Sequence, residues 1–248
     1  MKSLKVSLAQ VPVLGGNIDV NLSHHLAIIS ASAGEGADIV VFPELSLTGY
    51  ELELLRMLAF KPDSEVFQIL SSHAINHQII VIAGCPIQSL SDKPYIGAVI
   101  CYPDGRIDIY RKQYLHDGEQ SYCSSGEKNY YVEFEEYRIA LAICADFANP
   151  QHSHQVANDG ADLYLVSALI SPNGFEHDAS VLGSIAKNTF MPVLLCNHIS
   201  PTGGWNTCGK NTAWNQHGAM VSQSVNTESG FLLCTLSDSG IKGQTFKA

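Results

Sequence analysis

Short, uninterrupted apolar runs restrict the fold of this chain more than any other feature: they are too dense for a strand with one wet face and too brief for a helix. They include Ile39-Val40-Val41-Phe42, Ile79-Ile80-Val81-Ile82-Ala83, Ile139-Ala140-Leu141-Ala142-Ile143, Leu163-Tyr164-Leu165-Val166 and Val193-Leu194-Leu195-Cys196. A strand that is apolar at every position must bury both faces, as strands do when helices or a second sheet cover each side. Between the runs the apolar spacing turns helical. Leu22, Leu26, Ile29 and Ala33 share one face, after a break at Gly15-Gly16-Asn17 and before a stop at Gly34 and Gly36. Further helices are expected over 64–77, with Phe67, Leu70 and Ala74 inward, and over 151–158 and 176–188.

Not every connection is helical. Pro103-Asp104-Gly105 joins strands expected over 96–102 and 106–111 as a hairpin. A second hairpin is expected from 130–134 and 138–143. The alternation of Leu4, Val6 and Leu8 reads as an opening strand, and the tail returns to strand over 213–215, 219–223 and 231–236. Helices alternating with strands, interrupted by hairpins, predict an α/β fold with mixed sheets. With no glycine-rich linker, repeat or low-complexity block, residues 1–248 are expected to form a single domain.

Composition narrows the function. Hydrophobic residues make up 46% of the chain and charged residues 15%, which favours a packed core over disorder. The net charge of −10, with no cluster of Lys and Arg, argues against nucleic acid or an anionic membrane as partner. The apolar runs are too short to span a bilayer, and Met1-Lys2-Ser3-Leu4 opens no signal peptide. Seven cysteines without a C-x-x-C pair suggest neither a disulfide framework nor a zinc site, and a cytoplasmic setting is expected. His73 with His77, and His152 with His154, lack partners at ligand spacing and read as surface histidines, so no metal is expected. Trp205 and Trp214 read as core aromatics.

Three polar residues end apolar runs, where a rigid backbone can aim a side chain. Cys144 closes 139–143 and precedes a turn into a helix, whose backbone N–H groups would favour its thiolate. Glu44 follows Val40-Val41-Phe42-Pro43, where partial desolvation would raise its pKa towards that of a general base. Lys112 follows the strand ending at Arg111. Each has an ordinary alternative: a core thiol, a capping acid, a surface lysine.

Taken together, Phe42-Pro43-Glu44-Leu45 with Thr48-Gly49-Tyr50, then Tyr110-Arg111-Lys112, then Ile143-Cys144-Ala145-Asp146 resemble, in order, the three signature segments of the nitrilase superfamily of carbon–nitrogen hydrolases. Val6 to Gln10, Gly160-Ala161-Asp162, Ala186-Lys187-Asn188 and Gly204 to Asn211 are similar to that family as well, so the likeness covers nearly the whole chain. The resemblance implies a four-layer α-β-β-α sandwich, commonly paired into homodimers through its outer helices. It implies Cys144 as nucleophile, Glu44 as base and Lys112 as oxyanion stabiliser, cleaving a small amide or carbamoyl compound through a thioester without a cofactor. It also implies a second glutamate after the lysine. Glu119, in His116-Asp117-Gly118-Glu119-Gln120, matches best, and Glu127 lies too far along.

The chain departs from the family at Ala145, where an aromatic residue is usual, and at Gln151, where Pro-Glu is common. The longer C-terminal arm of some members is expected to be short or absent here. Ala145, Phe147, Leu169 and Ile170 are the expected substrate-binding residues, forming a partly apolar pocket with no committed charge partner. Cys144-Ala145-Asp146 is closer to amidases and carbamoylases than to the Cys-Trp-Glu of nitrilases. Three alternatives stand beside the amidase: a nitrilase acting on a nitrile, a catalytically silent scaffold of the same fold, and a peroxide-sensing thiol protein with Cys123 or Cys208 resolving.

Overall fold

Every residue of the run 139–143 is buried, because the strands are stacked as two sheets with helices outside each. The computed structural model describes residues 3–90, 92–225 and 227–247; Met1, Lys2, Ser91, Asn226 and Ala248, which the expected 1–248 domain includes, lie outside the described residues. The chain begins with β1 (Leu4–Gln10), α1 (Ile18–Gly34) and β2 (Ile39–Val41). A short helical stretch ending in α2 (Leu55–Leu58) leads to α3 (Glu65–His77), β3 (Ile80–Ile87), β4 (Tyr95–Cys101) and β5 (Ile107–Arg111). The middle of the chain supplies β6 (Tyr131–Phe134), β7 (Tyr137–Ile143), α4 (Ala145–Ala148), α5 (Pro150–Asn158) and β8 (Leu163–Ala168). It continues with α6 (Phe175–Thr189), β9 (Val193–Asn197), β10 (Thr212–Trp214) and β11 (Met220–Gln223), before β12 (Gly230–Ser237) and β13 (Gly240–Lys247) return to the beginning.

One sheet runs β13-β12-β1-β2-β3-β4-β5 and the other β11-β10-β9-β8-β7-β6. Both are mixed: β1, β2 and β3 are parallel, as are β7, β8 and β9, with antiparallel neighbours outside them. Leu4, Val6 and Leu8 of β1 and Ile80 and Ile82 of β3 share one core with Ile139, Leu141 and Ile143 of β7. The intervening residues of β3, Val81, Ala83 and Cys85, face Ile28 and Ile29 of α1 and Phe67 and Leu70 of α3. Those of β7, Ala140 and Ala142, face Val156 of α5 and Leu182 and Ala186 of α6. This is the expected four-layer α-β-β-α sandwich. The period-2 alternation of Cβ directions divides each run between two cores.

Several boundaries differ from expectation. Gln78, between the expected helix 64–77 and the run 79–83, closes α3 in a left-handed conformation (φ 52°), its N–H bonding back to Ala74 and Ile75. β3 runs on past Ala83 through Pro86, beyond the part of the strand paired with β2. A proline is tolerated there because that flank needs no ladder N–H. β13 was not expected at all: Gly240–Lys247 is mostly exposed, and only its register against β12 makes it a strand. Among the described residues no helix is long and apolar enough to cross a membrane.

Candidate active site

β2 aims Glu44 by stopping short. The Phe42 N–H still bonds Ile82 O (2.9 Å), and then the chain turns through Pro43, with Leu45 in the left-handed region at φ 51°. A Cβ at Gly84 would collide with the Pro43 carbonyl and the Leu45 amide, so glycine lets β3 pass beneath this turn. Buried His198 bonds Glu44 O through Nε2 (2.6 Å); burial lowers its pKa to about 4, so the neutral ring donates. His25, stacked on Phe42 at 4.0 Å and bonded to Ser46 Oγ, braces the other side. Neither histidine is marked by the local sequence.

The Lys112 side chain is fully buried, and its Nζ donates to Glu44 Oε1 (2.7 Å) and to Glu119 Oε1 (2.8 Å) and Oε2 (2.9 Å). Glu119 is 1% exposed and also accepts the Tyr50 hydroxyl (2.5 Å) and the His116 N–H (2.7 Å), so it is no solvated loop acid. Burial opposes charging of Lys112, yet the carboxylate of Glu44, the titrating Cys144 and Glu119 beside it hold its pKa above the ordinary lysine value. One ammonium cannot offset two carboxylates and a titrating thiol. Burial raises the Glu44 pKa to about 6, with Lys112 pulling down and Glu119 pushing up. Glu44 Oε2 is buried and has no hydrogen-bond partner among the described residues.

Cys144 ends β7 with its N–H on Ser167 O (2.9 Å) and a backbone at φ 44°, ψ −107°. For a residue with a Cβ this is a strained conformation, costing roughly 1–3 kcal/mol. The sequence suggested that backbone N–H groups favour the thiolate. Instead burial, followed by the charge of Glu44, pushes the thiol pKa well above its ordinary value, outweighing the pull of Lys112. Cys144 therefore rests as a thiol, and a thiol needs a base before it can attack.

Asp146, two residues on, sets the spacing of the site. Its Oδ1 accepts Gln113 N (2.9 Å) and Tyr114 N (2.8 Å), and its Oδ2 accepts Ile143 N (2.9 Å) and Tyr110 OH (2.7 Å). The backbone next to Lys112 and the backbone next to Cys144 thus hang on one carboxylate. His152, expected on the surface, is buried between Tyr110 OH (3.1 Å) and Tyr164 OH (2.8 Å) and steadies this cluster. Asp146→Asn, which turns an N–H towards these donors, is expected to destabilise the protein by about 2–4 kcal/mol. Thermal melting checks this, and an unchanged melting temperature would remove Asp146 from its role.

A cavity of about 310 Å³ opens over Cys144 and Glu44. Ala145, Phe147, Leu169 and Ile170, the expected substrate-binding residues, all line it. Lys112 and Glu119 do not line it and connect to it through Glu44 and Tyr50. Tyr50, His116, Asp178 and Trp205 line it too, and none was expected there. Trp214 is core as expected, at 2% exposure, whereas Trp205 is 47% exposed on the cavity. Asp178 gives the pocket a charged group that the sequence reading left out. Cys123 and Cys208 are free thiols, bonded to Glu119 O (3.3 Å) and Ile170 O (3.5 Å) respectively. Among the described residues no cluster of three His, Cys, Asp or Glu side chains could hold a metal.

Comparison with known proteins identifies the family and the fold. The family model described as carbon-nitrogen hydrolase matches residues 5–241. The glutamine-dependent NAD(+) synthetase of Aquifex aeolicus is 27% identical over 243 residues, covering 94% of this chain and 42% of that protein. The corresponding synthetase of Thermotoga maritima is 30% identical over 176 residues, or 68% of this chain and 30% of that protein. The chain therefore spans less than half the length of these two relatives. An (R)-stereoselective amidase from a Pseudomonas species is 27% identical over 194 residues, 77% of this chain and 70% of its own. Among solved structures, a mutant of the nitrilase-superfamily amidase of Nesterenkonia AN1 superposes with a TM-score of 0.87 at 20% identity, covering 95% of this chain and 91% of that one.

Proposed function

The chain belongs to the carbon–nitrogen hydrolase family, and on that premise we propose that it is a cysteine amidohydrolase, cleaving the C–N bond of a small amide through a thioester on Cys144. The observation that carries this reading is the free, buried Oε2 of Glu44, on a carboxyl with a pKa of about 6, lining the same cavity as a protonated thiol. An acceptor so placed has two uses: taking the thiol proton and returning it to a leaving amine.

In the proposed reaction Glu44 accepts the Cys144 proton as sulfur attacks the amide carbon. The carbonyl oxygen gains the negative charge. The Ala145 N–H and the Lys112 ammonium stabilise it. All three Lys112 protons are already bonded to carboxylate oxygens, so a direct bond to the oxyanion requires Glu119 to release one of its two. The tetrahedral centre collapses, the C–N bond breaks, and Glu44-H protonates the departing ammonia or amine. Water, deprotonated by the same carboxylate, then releases the acid and restores the thiol.

Rapid-quench mass spectrometry with a short aliphatic amide tests this reading. A Cys144 peptide heavier by the acyl group is expected, together with free ammonia. Its rate of formation should fall as pH drops through about 6, where Glu44 becomes protonated and loses its acceptor. Ammonia release with no acyl group on Cys144 would sink the mechanism, and no ammonia from any amide would sink the activity.

A further inference from the structure

The cavity wall is chemically mixed. Cys144 and Glu44 mark the reacting end, and Phe147, Leu169 and Ile170 supply apolar wall. The half-buried Asp178 and the exposed Trp205 line it as well, and among the described residues no lysine or arginine does. Asp178 lies in the first turn of α6, where an acid could simply complement the helix N-terminus. Glu176 already occupies that turn, directed outwards to Lys210 (3.7 Å). The Asp178 carboxylate receives no hydrogen bond or ion pair from any described residue, although its backbone N–H is used on Gly174 O.

We propose that Asp178 and Trp205 select an amide substrate bearing a positively charged group, a primary ammonium or a guanidinium, at the end remote from the scissile bond. This rests on the amidohydrolase reading and adds its substrate class. A cavity lined by both an unpaired carboxylate and an exposed indole attracts an organic cation by charge and by the ring quadrupole. Burial raises the Asp178 pKa, with His177 and His116 pulling it back, so a bound cation would relieve the desolvation that the carboxylate now bears. An anionic tail would meet that same carboxylate with no lining lysine or arginine to offset it.

Three amides of matched length separate the charges: 4-aminobutanamide (cation), pentanamide (neutral) and 4-carbamoylbutanoate (anion). For the wild-type protein, kcat/KM is expected to fall in that order, with the cation favoured about tenfold over the neutral amide and the ratio shrinking at high salt. The difference should lie in KM, because a remote group is held equally in ground and transition states. In Asp178→Asn the cation-to-neutral ratio should drop to within about twofold, and Asp178→Glu should restore part of it. The ratio is the readout, so a general loss of turnover in a poorly folded variant leaves the comparison intact. The proposal is overturned if wild-type protein hydrolyses pentanamide as well as the cation, or if the ratio survives Asp178→Asn. Failure of all three amides to release ammonia would instead bring down the amidohydrolase reading, and this inference with it.

Discussion

Lys112→Met is expected to lose about 3–5 kcal/mol of stability together with roughly 10²–10³-fold in turnover. The side chain is fully buried and makes three short bonds to two buried carboxylates. Methionine fills much of the space but leaves Glu44 and Glu119 facing each other without a cation. The Glu44 pKa, already raised to about 6, then climbs further above the unfolded carboxylate value, so the folded protein holds a proton that the unfolded chain releases. Under that condition stability is lost as pH rises through the folded pKa and recovered below it, so the variant's deficit should be larger at about pH 8 than at about pH 5.5. Thermal melts at the two pH values, beside ammonia release, check both parts. A variant that melts like the wild type at both would show that the ammonium does not hold the carboxylates.

Cys144→Ala should remove ammonia release by roughly 10⁴- to 10⁶-fold, because among the described residues Cys144 is the only thiol lining the cavity with Glu44. The fold should survive, since the thiol lies at the cavity rather than filling the core. The backbone makes a second comparison available. At φ 44° and ψ −107° any side chain strains the turn, and glycine does not. Cys144→Gly is therefore expected to be more stable than Cys144→Ala by about 1 kcal/mol, with both inactive. Equal melting temperatures would mean that the turn stores no strain. Ammonia release by either variant at the wild-type rate would end the case for Cys144.

Most of the layer architecture was legible because apolar residues at every position of a short run admit few arrangements. Val81 and Ile82, adjacent in sequence, end in different cores, and a run of this kind demands such a pair of covers. Gly240–Lys247 was not legible, because an exposed edge strand needs no apolar pattern and takes its form from β12. At the site, Cys144, Glu44 and Lys112 could be picked out because each ends an apolar strand in a segment resembling a known family. His198 and Asp178 lie in segments with no such pattern and reach the site only through folding, and Trp205, though in a family-like segment, ends no apolar strand. His152 shows the same limit, since its neighbours Tyr110 and Tyr164 come from β5 and β8 and nothing near it in sequence announces burial.

Hydrophobic patterning along the chain was enough to require cover on both sides of the strands and to pick out the thiol, carboxylate and amine at strand ends. These are local matters of hydrophobic periodicity and chain direction. Only the tertiary structure decided the protonation of those groups and the character of the pocket. A pKa depends on desolvation and on charges brought close by distant segments. The thiol expected to be acidic is therefore held protonated, and a pocket expected to lack a committed charge partner carries Asp178 in its wall.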